Sequence, residues 1–263
     1  MTEMKFLFMM FATEVNNEAI NWFEESSTKV AFINSKLTEL LRYQLKQFMV
    51  DPVIEDMDEE GNIVIKEGKS LLGVDIEGGR HRSNKQLKIG EECEKKIRSL
   101  GLSPTSPQLK WFFDQVRIYH KTKAKFYIKY FSSALESNVL KACSSLDPAA
   151  QSKITTKHKL LVLGKTYSKT VDRIGNMDIF RREVEEFIED DFLKQNQDLP
   201  FDHFWQLVKE RKEEDWIKYE ILPRFANAMG TIMNSNSDCE RDVLIPYEDW
   251  ERSSKKCHVP RNV

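Results

Sequence analysis

Oxygen-bearing side chains gather in the segment from Asp56 to Glu67. Asp56, Asp58, Glu60, Gly61, Ile63 and Glu67 fall at the spacing of a calcium-binding loop, where carboxylates wrap a hard cation and glycine makes the sharp turn. Glu60 and Val64 are poor choices at their positions, Asp51-Pro52 interrupts an entering helix, and Gly68 and Gly73 leave no exiting one. A weak calcium loop at 56–67 and a solvated acidic hairpin both stay open. Gly68-Lys69-Ser70 and Gly164-Lys165-Thr166 end like phosphate-binding loops, but the earlier glycine is replaced by Ile63 and Lys159. Without it the backbone N–H groups cannot curl around a phosphate. Cys93, Cys143, Cys239 and Cys257 lie far apart with no C-x-x-C pair, so reduced thiols are expected rather than zinc ligands or a disulfide framework. These residue types imply no cofactor and no small-molecule substrate. The remaining chemistry is a cationic stripe, Arg117, Lys121, Lys125 and Lys129, with Tyr119, Phe126 and Tyr130 beside it. Charge and stacking surface at that spacing suit a nucleic-acid backbone, but helical charge stripes are common and favour a solvated lysine face on a helix with an apolar core side.

The elements that must carry these groups read as helices. Hydrophobic residues make up 40% of the 263 and aromatics 11%, with 10 Gly and 8 Pro, enough for a packed core. Forty Lys+Arg against 42 Asp+Glu leave a formal charge of -2, without the positive excess of a dedicated nucleic-acid module. Acidic segments at 55–60 and 183–191 offset the basic 117–129 stretch and the C-terminal tail. Mean hydropathy is -0.53. The early apolar run from Phe6 to Ala12 is far shorter than the roughly 18 residues of a membrane span, and it lacks the basic flank and small-residue cleavage site of a secretory signal. An intracellular chain with no membrane association is expected.

Apolar spacing predicts a helix over 6–23 through Phe8, Phe11, Val15, Ala19 and Trp22. A second follows the Ser26-Ser27-Thr28 cap and ends before Asp51-Pro52. Residues 51–86 read as a long loop or short hairpin, and 87–100 as a modest helix. After a break at 101–107 a helix is expected over about 109–131, with Phe113, Val116, His120, Ala124, Tyr127 and Phe131 on its core stripe. Shorter helices follow near 134–145, 155–168, 178–192 and 201–208, and a last one over 215–229. The fold class is mainly α.

That last segment runs into Ile232-Met233-Asn234-Ser235-Asn236-Ser237-Asp238-Cys239-Glu240-Arg241, preceded by Asp202-His203-Phe204-Trp205. It resembles the C-terminal signature of hAT-superfamily transposases, including the Phe-Trp element that family places before the Ser-Asn-Ala-Asp-Ser/Cys-Glu-Arg run. More loosely, 6–48, Pro52, 74–89, 112–130 and 139–148 are similar to the helical insertion of the zinc-finger-associated members. The resemblance implies a helical insertion-like region over 1–200, a dimerisation-like segment over 201–241, and a divergent, unstructured tail over 242–263. It implies truncation relative to a ribonuclease-H-like core that holds two metal ions on two aspartates and a glutamate. Only the glutamate has a match here, a vestigial Glu240, and both aspartates are expected to be missing.

The function so implied is a catalytically inactive, domesticated transposon-derived protein, expected in the nucleus, that associates with itself or a related hAT-derived chain. DNA is a weaker partner, through the 117–129 stripe. The residues assigned to dimerisation are Trp205, Tyr219, Leu222, Phe225, Ala226 and Met229, then Ser235, Asn236 and Arg241. Trp205, Trp216, Tyr219, Phe225, Met229 and Met233 could cover a partner surface, or form a seam against the chain's own helices. Two departures stand out: Met233 replaces the family's proline, and Asp242-Val243-Leu244-Ile245-Pro246 replaces its Phe-Ser continuation.

Overall fold

The structure, a computed structural model, describes residues 1–25, 28–57, 63–66, 68–78 and 80–233. These residues form twelve α-helices and two short antiparallel hairpins, so the mainly helical expectation holds. The described residues divide into two compact units, one of 1–25 with 31–144 and one of 28–30 with 145–233. The boundary thus falls at Ser144/Ser145 and not near 200, because the helices of 156–194 share a core with those that follow.

In the first unit, α1 (Thr2–Glu24) and α2 (Ile33–Lys46) precede a hairpin of β1 (Glu55–Met57) and β2 (Ile63–Ile65). Then come α3 (Gly68–Leu72), α4 (Glu91–Ser99), α5 (Pro107–Glu136) and α6 (Asn138–Cys143). Leu37, Leu41 and Leu45 recur at helical spacing and are buried against α5 with Phe48, Phe112 and Val116. Helix α5 begins where Ser106 Oγ accepts the Leu109 N–H and Pro107 takes the first turn, where a missing N–H costs nothing. Its 30 residues make it roughly 45 Å long. The long 51–86 connection is tied down at its far end: Val50 and Arg82 N–H groups bond to the Arg80 and Phe48 carbonyls, and the Arg82 guanidinium meets Asp51 at 2.6 Å. Gly90 precedes α4 with φ of 84°, and a Cβ there would lie 2.8 Å from Phe11 Cβ, so glycine lets α4 approach α1.

The second unit contains α7 (Thr156–Thr166), α8 (Ser168–Ile174), α9 (Met177–Glu189), α10 (Asp191–Lys194) and α11 (Phe201–Glu210). A tight hairpin of β3 (Lys212–Glu213) and β4 (Trp216–Ile217) leads to α12 (Leu222–Met233). Phe180, Phe187, Phe204, Trp205, Tyr219 and Phe225 build one aromatic core from α9, α11, the β4–α12 link and α12. Gly164 in α7 lies under the Phe180 ring, where any Cβ would clash; the Gly-Lys-Thr tripeptide there is helix packing. The helix expected over 215–229 is instead a hairpin followed by a helix from Leu222. Pro223 fits only the first turn of a helix, and the N–H groups of Glu220, Ile221 and Leu222 are taken by Glu183.

Candidate interaction surface

The residues assigned to dimerisation split in two. Trp205, Tyr219, Leu222, Phe225, Ala226 and Met229 are all fully buried in the second unit. Trp205 Nε1 donates to the Leu146 carbonyl at 2.9 Å, and its ring stacks on Phe187 at 5.4 Å. The Tyr219 hydroxyl donates to Asp190 Oδ2 at 3.0 Å; burial above all, then the Asp190 charge and this bond, drive the phenol pKa far upward. These side chains therefore form the seam against the chain's own helices and present nothing to a partner; of the aromatic set, only Trp216, on the hairpin, is exposed. Ser235, Asn236, Glu240, Arg241 and the 242–263 tail lie outside the described residues.

Two carboxylates hold that seam. Glu183 is buried, and its oxygens accept the Glu220, Ile221 and Leu222 N–H groups at 2.7 to 3.2 Å, closing the start of α12. Burial raises its pKa above the ordinary value, against the pull of those three donors. Asp190 caps α10 through the Phe192 and Leu193 N–H groups. Burial pushes its pKa up, but the Tyr219 hydroxyl, the Leu193 N–H and the charges of Lys218 and Arg211 prevail and hold it below the ordinary value.

The basic stripe is largely spent inside the first unit. Arg117 donates to the Arg82 carbonyl at 3.0 Å. Lys121 and Lys125 both grip Glu77, at 2.9 and 2.6 Å, and their hydrogen bonds, that of Lys125 first, pull the Glu77 pKa down to about 2. Lys129 lies 5.1 Å from the Tyr130 ring centre. Behind the stripe, His120 is buried between Phe8 and Phe48, with Nδ1 3.0 Å from Gln44 Nε2.

A different surface emerges where α1 and α5 run side by side. Their contacts rise together along both helices: Lys5 Nζ over the Trp111 ring at 4.2 Å, Phe8 on Phe112, Lys123 Nζ to the Ala12 carbonyl at 2.9 Å, and Tyr127 to Asn16 Oδ1 at 2.6 Å. The two helices are therefore parallel. Burial lowers the Lys123 pKa to about 8 and raises that of Tyr127 to about 12. On α1, Phe6, Met9 and Ile20 lie about 90° around the helix from the residues that touch α5. On α5, Ile118 and Phe126 lie roughly 65 to 145° around the helix from the mean direction of Phe112, Lys123 and Tyr127, in the opposite sense, and Trp111 lies on that side too, with its ring under Lys5. For parallel helices this places both sets on the same side. All six are exposed, Phe6 by 65% and Ile118 by 56%. Large apolar side chains gathered on one side of a helix pair in this way mark a candidate interaction surface.

Sequence reading missed this surface because it looked for one stripe per helix. Phe6 to Phe11 is apolar without a break, which leaves a helix apolar on more than its core side. The expected calcium loop is placed only in part. Asp56 stands opposite Val64 in the β1–β2 ladder, an extended pairing unlike a wrapped ligand loop, and Asp58, Glu60 and Glu67 lie outside the described residues. Among the described residues, no group of three His, Cys, Asp or Glu side chains could hold a metal ion, and no helix is long and apolar enough to cross a membrane. Cys93 and Cys143 are buried, which lifts their thiols to about 11 and about 12, away from reactive thiolate chemistry. Comparison with protein-family models, with curated proteins and with solved structures finds no match for the chain.

Proposed function

We propose that the chain is a non-catalytic association protein that binds another protein chain, its own copy or a related one, through the joint face of α1 and α5. The observation that carries this reading is the exposure of Phe6, Met9, Ile20, Trp111, Ile118 and Phe126 on one side of a parallel helix pair. Large exposed apolar and aromatic side chains on rigid elements are what interface centres are made of. The resemblance of Ser235 to Arg241 to hAT transposases supports descent from such an enzyme, with a nuclear setting and self-association as the retained activity. In this reading the surface differs from the one the resemblance suggests, since Trp205, Tyr219, Leu222, Phe225, Ala226 and Met229 are buried in the chain's own core. Nucleic-acid binding is less well supported, because Lys121 and Lys125 are already paired with Glu77, which offsets half of their charge.

Sedimentation velocity of the chain over a wide concentration range tests the proposal. Concentration-dependent association that Phe126→Asp abolishes, with helicity retained by circular dichroism, is the expected result. A monomer at every concentration sinks it.

A further inference from the structure

We infer that the partner of the α1/α5 face is a second copy of this chain, laid antiparallel on it about a two-fold axis that passes between Thr122 and its symmetry mate. The inference rests on the association reading above and adds the partner and its register. In an antiparallel pair centred on residue 122, residue i of one α5 meets residue 244 minus i of the other, a relation fixed by symmetry alone. Ile118 then meets Phe126, Gln115 meets Lys129, and Trp111 meets the small Ser133. Asp114 comes beside Lys129 of the other copy, so opposite charges meet at the rim. Lys121 and Lys125 would approach their counterparts near the axis, and each is already held by Glu77.

Helix α1 has a centre of its own close to the same level. The pairings of Ala12 with Lys123 and Asn16 with Tyr127 put Thr13 of α1 level with Ala124 of α5, about 3 Å along the pair from Thr122. About Thr13, Phe6 is the symmetric counterpart of Ile20, and Met9 of Asn17. The two exposed faces thus have their centres within about 3 Å along the pair, each at a threonine, with large apolar side chains one to two turns away. Helices of 23 and 30 residues, each about 10 Å across, offer on the order of 800 Å² per protomer, which is the area a standard stable interface needs.

The test uses the full chain with Cys239 and Cys257 replaced by Ser, leaving only the buried Cys93 and Cys143 as native thiols. Thr122→Cys in this background is expected to give a covalent dimer with a short bis-maleimide. Gln115→Cys alone is expected to give none, since its two copies would lie roughly 20 Å apart along the pair. Combining Gln115→Cys with Lys129→Cys is expected to restore the product. Ile118→Asp should weaken self-association at least about tenfold. Asp114→Lys should weaken it less, and Asp114→Lys with Lys129→Asp should recover it. Dimers in sedimentation that do not cross-link at Thr122→Cys would overturn this register while leaving the association reading standing. A monomer at every concentration would overturn both.

Discussion

Glu183 Oε2 accepts the backbone N–H of Leu222 at 2.7 Å across 39 residues of sequence, and the same carboxylate takes the Ile221 and Glu220 N–H groups. A helix normally begins with a local capping side chain. Here the cap of α12 is supplied by α9, so the helix and the aromatic seam beneath it form together. Asp190, one residue past the end of α9, does the reverse job by holding the Tyr219 hydroxyl just ahead of α12.

Glu183→Ala strands three donors at a buried helix start and is expected to cost about 3 kcal/mol, read as a lower urea midpoint. Glu183→Gln keeps one acceptor oxygen and should cost less. The pH dependence has a defined sign. The native carboxyl titrates above its unfolded value near 4.5, so this group's contribution is greatest below that value and declines as pH rises through the native pKa. Glu183→Gln should remove that decline, and a variant that keeps it contradicts the assignment.

Trp205 provides a direct test of whether the C-terminal aromatic set is core or interface. Trp205→Phe loses the bond to the Leu146 carbonyl and leaves a void, at an expected cost of about 1 to 3 kcal/mol. Self-association of the folded chain should be unchanged in sedimentation. Unchanged stability with lost association would return this residue to the interface.

Leu37, Leu41 and Leu45 were legible because one apolar stripe on a polar helix has one reading, and Asp51-Pro52 marked its end correctly. Trp216, Tyr219, Leu222 and Phe225 have helical spacing too, yet β4 and the link ahead of α12 are not helical. What decides their conformation is Glu183, distant in sequence, together with Pro223. The joint face of α1 and α5 was hidden for the opposite reason. Phe6 to Phe11 supplies apolar side chains in every direction, so periodicity cannot tell the side that meets Phe112 from the side left bare.

Glu77→Gln separates the association reading from nucleic-acid binding. It removes the shared counter-charge of Lys121 and Lys125 and leaves the six exposed apolar side chains in place. The native chain is expected to show little salt-sensitive binding to duplex DNA near physiological ionic strength. The variant should gain affinity, with the log–log salt slope steepening by up to about 0.9 per freed lysine. If the native chain already binds with a slope that counts all four cations of the stripe, the nucleic-acid reading takes precedence.

His120 should make the first unit sensitive to mild acid. Its ring is enclosed by Phe8 and Phe48, and burial is the leading cause that lowers its pKa from 6.5 to about 4, with Lys123 adding a smaller push. The native state therefore refuses a proton that the unfolded chain accepts. The resulting stability is fully present above 6.5 and is lost as pH falls from there to about 4, a loss of about 3 kcal/mol for this group. His120→Phe keeps an aromatic ring in the slot and leaves Gln44 its bond to the backbone carbonyl of residue 120. Urea midpoints measured between pH 7 and pH 4.5 should fall more steeply for the native chain than for His120→Phe, so that the two curves converge or cross in acid. Parallel curves would show that the ring is protonated in the folded state or never titrates in the unfolded one, and the acid sensitivity would then belong to another group.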